Sequence, residues 1–382
     1  MANSVVIFYG PHNAFQDLLD DRIKSSETTM SYLDSIRIYN SRIRASELAS
    51  SGPKPSLPEA VDNCIVRTND FGSVLSHVIS SFGSILEETF DIDTLYVQNP
   101  PKRARASIEA FHDPSQIEVI NYPYPALSKK TLSSIFKNVE EQVFGQEKCK
   151  KSVLSALYRL SVLKGGRPGV ILMYGPSGVG KTELSKCISH SLGGNLTRIQ
   201  FSMMQTNEAY EYLYGAEHSK ASLSRDLLSR ESNVVLIDEF DKVNPQLYNM
   251  FYQVFDEGRY VDTNYEVDMS DGLFLLTSNF LTEREIRRVL GPAMFSRIDE
   301  CIQFDDIPDD LKLEIAKSHY RSIVDKLDNE DRLVIEQSDI QEWFHRNISR
   351  YSNMRTLKIK LEKAIFEYLS RKIIDDSTTS SS

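Results

Sequence analysis

Gly175, Pro176, Ser177, Gly178, Val179, Gly180, Lys181 and Thr182 match the pattern Gly-x-x-x-x-Gly-Lys-Ser/Thr at every fixed position. Glycines let a backbone turn its N–H groups inward, and a following helix start adds positive potential, so such a loop cradles phosphates. Lys181 has the reach for the β and γ phosphates, and the Thr182 hydroxyl suits Mg²⁺. Further on, Val234-Val-Leu-Ile-Asp-Glu-Phe-Asp241 is an apolar run that ends in acids. Asp238 at that tip can hold the Mg²⁺ shell, and Glu239 can orient and polarise an attacking water. Alone it would read as an acidic loop after any core strand; downstream of the glycine loop it is the second half of a nucleotide hydrolase site. Asn279 closes another apolar run, Leu273-Phe-Leu-Leu-Thr-Ser-Asn279. It would either help place the water or cap the next helix. Arg297 lies among apolar anchors in Phe295-Ser-Arg-Ile-Asp-Glu300. It would serve as a surface ion-pair residue or, at a subunit edge, reach into a neighbour's site.

The elements that must position these residues are legible. Val170-Ile-Leu-Met-Tyr174 predicts a buried strand before the loop. After it, Leu184, Cys187, Ile188 and Leu192 recur as one face of a helix. Leu196 to Phe201 alternates as a strand, and Pro245 opens a helix with Leu247, Phe251, Val254 and Phe255 on one side. A polar hairpin is expected after Asp262, and helices from Pro308 to about Ile374. In the last of these, Leu357, Ile359, Leu361, Ile365 and Leu369 are expected on one face. Residues 375–382 are acidic and serine-rich, which predicts a disordered end.

Residues 1–127 form a different region. Apolar runs at Val5–Tyr9, Ile36–Ile38, Cys64–Val66, Leu95–Val97 and Ile117–Ile120 alternate with amphipathic stretches. One such stretch holds Phe15, Leu18, Leu19 and Ile23; another holds Val74, Leu75, Val78, Phe82 and Leu86. The alternation predicts a small α/β domain with a mainly parallel sheet. Residues 50–58 read as a loop, and Lys102-Arg-Ala-Arg105 as the solvated start of a helix. Nothing in this region carries a catalytic constellation. Tyr122-Pro-Tyr-Pro125 breaks structure and marks a boundary.

Composition narrows the class. The chain has 382 residues, 41% of them hydrophobic, enough for more than one core. A net charge of −10 argues against a general nucleic-acid or anionic-membrane binder. No apolar run approaches the ~20 residues that span a bilayer. The four cysteines lie far apart without metal spacing. Reduced thiols in a cytoplasmic protein are the expectation.

Taken in order, these motifs resemble the AAA+ ATPases of the Clp chaperone clade, most closely the second ATPase module of ClpB-type disaggregases. Besides the phosphate loop (with Glu183 following Thr182) and Asp238-Glu239, the resemblance rests on several segments. Val143-Phe144-Gly-Gln146 is similar to the motif beside the adenine, and Gln253 to Asp262 to the stretch after the Walker B helix. Thr277-Ser-Asn279 is similar to sensor 1, the segment around Arg297 to the arginine finger, and Asn353-Met-Arg355-Thr-Leu to sensor 2. The resemblance implies an ATP hydrolase using ATP and Mg²⁺. It implies a large αβα subdomain (residues 128–306), a small helical lid (307–374) and a homo-oligomeric ring, usually hexameric, acting on a protein client or partner proteins. Arg297 would act in a neighbour's site, and Arg355 would couple nucleotide state to lid angle. Two departures stand out. Tyr212-Leu-Tyr-Gly-Ala216 leads toward the clade's Gly-Tyr-Val-Gly gripping loop, but Glu217-His-Ser-Lys-Ala221 follows and that loop is deleted. Tyr212 or Tyr214 would substitute for it or be core residues. The segment between Asn279 and Arg297 is short, which argues against a peptidase partner. Three functions remain: an ATP-driven remodeller whose N-terminal domain selects the partner, a nucleotide-gated assembly without threading, and a nucleic-acid-acting AAA+ protein, which the charge disfavours.

Overall fold

The structure, a computed structural model, describes residues 2–48, 59–163, 166–204, 206–351 and 353–379. The loop expected at 50–58 lies outside the described residues.

Two five-stranded sheets organise the chain. The first holds β1 (Ser4–Tyr9), β2 (Thr29–Ser31), β3 (Glu59–Val66), β4 (Phe90–Gln98) and β5 (Ile117–Asn121) in the order β2-β3-β4-β1-β5. The second holds β6 (Gly169–Tyr174), β7 (Thr197–Gln200), β8 (Val234–Asp238), β11 (Leu273–Ser278) and β12 (Glu300–Gln303) in the order β12-β6-β11-β8-β7. Every pairing in both sheets is parallel. Counted from its own first strand, each sheet runs 5-1-4-3-2. Between β8 and β11 a separate antiparallel hairpin forms from β9 (Arg259–Val261) and β10 (Glu266–Asp268).

The buried strands explain themselves. β6, β8 and β11 are continuous apolar runs because helices cover both faces. One face packs on the helices Lys129–Gln142, Glu147–Val162 and Lys181–Ser191, and the same core continues into the C-terminal helices. On the other face lies an aromatic layer. Phe251 contacts Phe201, Phe240 and Phe255 with ring centroids 5.4–5.8 Å apart, and Phe255 contacts Phe274 at 5.2 Å. Fully burying one such ring contributes about 1.5–3 kcal/mol, so this layer fixes the acidic end of β8 firmly.

Several local expectations change. Ile36 and Ile38 lie inside the helix Tyr32–Leu48, while the real edge strand is the short β2. The Val74–Leu86 stretch is not one helix. It divides into Ser76–Ser80 and Phe82–Thr89, and Leu75 is exposed. In the last helix, Met354–Thr379, the residues Leu357, Leu361, Ile365 and Leu369 are buried at four-residue spacing, but Ile359 faces out. Two residues are too few to return to the same helical face. That helix also runs through residues 375–379, where the composition predicts disorder. Asp375-Asp-Ser-Thr-Thr contains neither Pro nor Gly to stop it. Residues 380–382 lie outside the described residues. No described helix is long and apolar enough to cross a membrane.

Candidate active site

At the C-terminal ends of β6, β8 and β11 lies a cleft of about 380 Å³. Parallel α/β sheets bind ligands at this end. The loop of residues 175–180 leaves β6, and the helix Lys181–Ser191 begins directly behind it. Gly175, Gly178 and Gly180 all have positive φ, at 136°, 81° and 107°. A side chain at Gly175 would strike the Phe304 carbonyl, and one at Gly178 would strike Asn353. Only glycine fits there, and the turn places Lys181 and Thr182 on the cleft wall.

Lys181 is buried. Its Nζ donates to the carbonyls of Gly175 at 2.6 Å and Pro176 at 2.9 Å, and to Asn279 Oδ1 at 3.5 Å. Burial lowers its pKa to about 8, partly opposed by the charges of Asp238 and Asp241. A desolvated ammonium that holds only carbonyl dipoles gains most from a phosphate. Thus Asn279 stands beside the lysine, at the mouth of the cleft.

β8 delivers Asp238 and Glu239. Asp238 Oδ1 accepts from the Thr277 hydroxyl, and Oδ2 accepts from Nε of Arg198 at 3.1 Å and from its Nη2. Thr277 Oγ1 also accepts from the Glu239 N–H at 2.9 Å. Glu239 is in the left-handed region (φ 55°), which turns its side chain out of the strand and into the cleft lining. The Asp241 side chain is buried; its Oδ2 pairs with Lys242 at 3.4 Å, while its Oδ1 has no hydrogen-bond partner among the described residues.

Val143 and Phe144 also line the cleft, with Val143 packed against Gly180 of the loop. Gln146 secures that segment by pairing with the Asp305 backbone in both directions, at 2.7 and 3.1 Å. The C-terminal helix Met354–Thr379 contributes Met354, Arg355 and Lys358. Asn353 Oδ1 accepts from the Arg355 N–H at 2.8 Å and so caps the helix start next to Gly178.

The cleft therefore brings together Val143, Phe144, Ser177, Gly178, Val179, Gly180, Lys181, Thr182, Glu183, Asp238, Glu239, Asn279 and Arg355. Gly175 and Pro176 meet it through the lysine. Arg297 does not join them. Its Nε and Nη2 donate to Asp256 Oδ2 at 2.9 and 2.6 Å, Nη1 donates to the Ala293 carbonyl, and the guanidinium stacks 4.2 Å from the Tyr252 ring centroid. Arg198 and Gln200 of β7 also line the cleft, and sequence reasoning missed them. Their only signal was alternation in a strand whose neighbour had not been identified. Tyr212, left open as a gripping residue, is buried and donates its hydroxyl to Asp226 at 2.5 Å. Tyr214 is half-buried and stacks on Tyr210.

The donor set fits a hard cation. Asp238 and Thr182 offer oxygen only, and the guanidinium on Asp238 shows that this carboxylate is matched to a positive charge. No group of three His, Cys, Asp or Glu residues among the described ones could cage a metal alone. Such a site suits Mg²⁺, which keeps waters and shares its shell with phosphates.

A family model described as AAA domain (Cdc48 subfamily) matches residues 167–327. The chaperone protein ClpB of Malacoplasma penetrans is 26% identical over 268 residues, covering 64% of this chain and 38% of the relative. ClpB of Mycoplasmoides gallisepticum is 25% identical, covering 66% of this chain and 38% of the relative. ClpB of Wolinella succinogenes is 25% identical, covering 66% and 33%. The chain spans little more than a third of the length of these relatives.

Proposed function

For a chain that carries a Clp-type AAA+ ATPase module resembling a module of ClpB, we propose that the protein binds Mg–ATP in the cleft and hydrolyses it to remodel a protein partner or complex. The observation that supports this best is convergence: the glycine loop, Asp238-Glu239, Asn279 and Arg355 line one cleft though they are far apart in sequence.

The phosphates lie along the loop N–H groups and the start of the helix Lys181–Ser191. Lys181 exchanges its carbonyl partners for β and γ oxygens. Thr182 and Asp238 would hold Mg²⁺, which would supply charge neutralisation at the phosphates. Glu239 takes a proton from the water, whose oxygen attacks the γ phosphorus as the bond to the β–γ bridging oxygen breaks and ADP leaves, with Asn279 as a second contact to that water. Val143 and Phe144 pack on the base. Arg355 reaches the phosphates from the lid, so lid angle follows nucleotide state. Arg297 acts in a second copy's cleft within a homo-oligomeric ring, after giving up Asp256. A cytoplasmic setting accords with the free thiols, three of them buried.

The partner's handling has two readings. Threading through a ring needs a gripping loop. Residues 215–222 instead pack within the molecule: the Asn264 side chain donates to the Ala216 carbonyl at 2.7 Å, and Arg225 donates to the His218 carbonyl at 3.1 Å. That favours a nucleotide-gated assembly which resets a complex without threading, and the short segment between Asn279 and Arg297 speaks against a peptidase partner. ATP turnover and native mass of the wild type and of Arg297→Ala test the proposal. Concentration-dependent turnover that Arg297→Ala lowers by about 10³-fold with binding retained is expected. Equal turnover per subunit in both proteins would remove the trans role.

A further inference from the structure

The N-terminal sheet repeats the strand order of the catalytic sheet, and its strand ends can be compared position by position. Both first strands end in Tyr-Gly-Pro: Tyr9-Gly10-Pro11 and Tyr174-Gly175-Pro176. Laying Tyr9 on Tyr174 puts Asn121 on Gln303 and Tyr122 on Phe304, through their register with β1 and β6. The same seam bond follows in each: the Tyr122 N–H donates to the Tyr9 carbonyl at 2.8 Å, and the Phe304 N–H to the Tyr174 carbonyl at 2.7 Å. Across the other side, Gln98 falls on Thr277, and one strand further Arg67 falls on Asp238 and Thr68 on Glu239.

What differs is the chemistry. Residues 175–180 separate β6 from its helix, but only Gly10 and Pro11 separate β1 from the helix His12–Arg22. No lysine follows. The carboxylate position is an arginine, Arg67, so a cation would meet like charge there. The shortened turn is closed from within. Asn99 accepts from the Gly10 N–H at 3.0 Å and donates to the Gly10 carbonyl at 2.9 Å, and Gln98 donates to the same carbonyl at 3.0 Å. Both amides are buried. A Cβ on Gly10 would lie 2.5 Å from Tyr122 Cβ, a seam as close as that of Gly175 with Phe304, and the cavity of about 640 Å³ at this end is lined by Tyr9, Gly10, Lys102 and Arg105 together with Arg230 and Asp268 of the catalytic module, not by a phosphate loop.

The ligand end of this sheet faces the catalytic module. Lys102, just past β4, donates its N–H to the Asn264 carbonyl at 2.8 Å and its Nζ to the Asp262 carbonyl at 2.5 Å. Asn69, just past β3, accepts from Arg225 Nη2 at 3.0 Å. Tyr124 donates to the Arg230 carbonyl at 3.0 Å, and the Arg230 guanidinium lies 4.2 Å from its ring centroid. Lys102 holds the hairpin turn directly, and Arg230 passes the Tyr124 contact on to it by donating from Nη2 to the Asp268 carbonyl at 3.0 Å; the hairpin joins the helix Tyr248–Glu257 to the strand that leads into Asn279.

We propose that the N-terminal domain is a nucleotide-blind copy of the phosphate-loop fold, and that its former ligand end is a docking surface for the β9–β10 hairpin of its own chain. It clamps the element that links the two water-positioning residues of the catalytic cleft. The proposal takes the ATP reading of that cleft as given, and its test separates the two. Calorimetry of the full chain with Mg–ATPγS should give one site per chain. A second site that persists in Lys181→Ala would overturn nucleotide blindness, whereas no binding by the wild type would overturn the ATP reading instead. Hydrogen exchange on the full-chain double variant Lys102→Glu/Arg225→Glu, without nucleotide, tests the docking. Amides of the β9–β10 hairpin should exchange about tenfold faster while those of β8 and β11 keep their rates. Unchanged hairpin exchange would overturn the clamp, as would equal acceleration in the core strands, which would mean general unfolding.

Discussion

Tyr9-Gly10-Pro11 and Tyr174-Gly175-Pro176 occupy the same place in two sheets of the same strand order, yet only the second opens onto a cleft with a lysine, a threonine and two acids. At the seam the two are alike: both glycines lie against the residue that follows the fifth strand. The loops are not alike. Residues 175–180 rise through three positive-φ glycines and curl round the Lys181 ammonium. Gly10 has its N–H and carbonyl taken by Asn99 and Gln98. A parallel 5-1-4-3-2 sheet therefore supplies a frame and a register, and the chemistry depends on a few residues at its strand ends.

Changes at equivalent places should have unequal effects. The largest is expected for Glu239→Gln, which keeps the shape but loses the base. ATP turnover should fall by about 10²–10⁴-fold while nucleotide affinity is retained. Turnover near the wild-type rate would reassign the base. Next is Lys181→Ala. Losing a charge-assisted contact of about 1.5–3 kcal/mol predicts weaker ATP binding by at least tenfold in calorimetry, whereas changes at Arg67 should leave that affinity alone. Gly10→Ala acts on packing instead. Crowding Tyr122 should cost about 1–3 kcal/mol of stability in the N-terminal domain, seen as an earlier melting transition, with the ATP affinity of the module within twofold of wild type. A parallel loss of affinity would show that the domains are coupled more tightly than the comparison suggests.

The smallest effect concerns pH. Burial lowers the empty-site pKa of Lys181 to about 8, from an ordinary value near 10.5. Phosphate favours the ammonium, so binding should take up a proton as pH rises through 8, and affinity should decline from pH 7 to 9.5. The stability sign runs the other way. The unfolded chain binds more protons between about pH 8 and 10.5, so this lysine's burial penalty, full below pH 8, fades as pH rises. Calorimetry in buffers of different ionisation enthalpy would read the uptake; Lys181→Ala should show none.

Much of the catalytic cleft was legible because its residues sit in short motifs with fixed local geometry. Glycines in a loop, acids at the end of an apolar run and an asparagine after another need no long-range information to be noticed. Arg198 was not legible. Its importance comes from β7 lying beside β8, a pairing that local periodicity does not encode. Ile36 and Ile38 misled for a related reason: three residues, Ile-Arg-Ile, fit both a strand and a helix, and packing chose the helix.

The sequence by itself determined the phosphate loop, the strand that bears Asp238 and Glu239, and the helical periods of the C-terminal region, because each follows from backbone sterics or from one buried face. Tertiary structure alone decided that Arg297 pairs with Asp256 within the same chain, that Tyr212 is core, and that the first sheet repeats the order of the second. These depend on which strands pair and which surfaces meet. Contacts between residues a hundred positions apart leave no periodic trace along the chain.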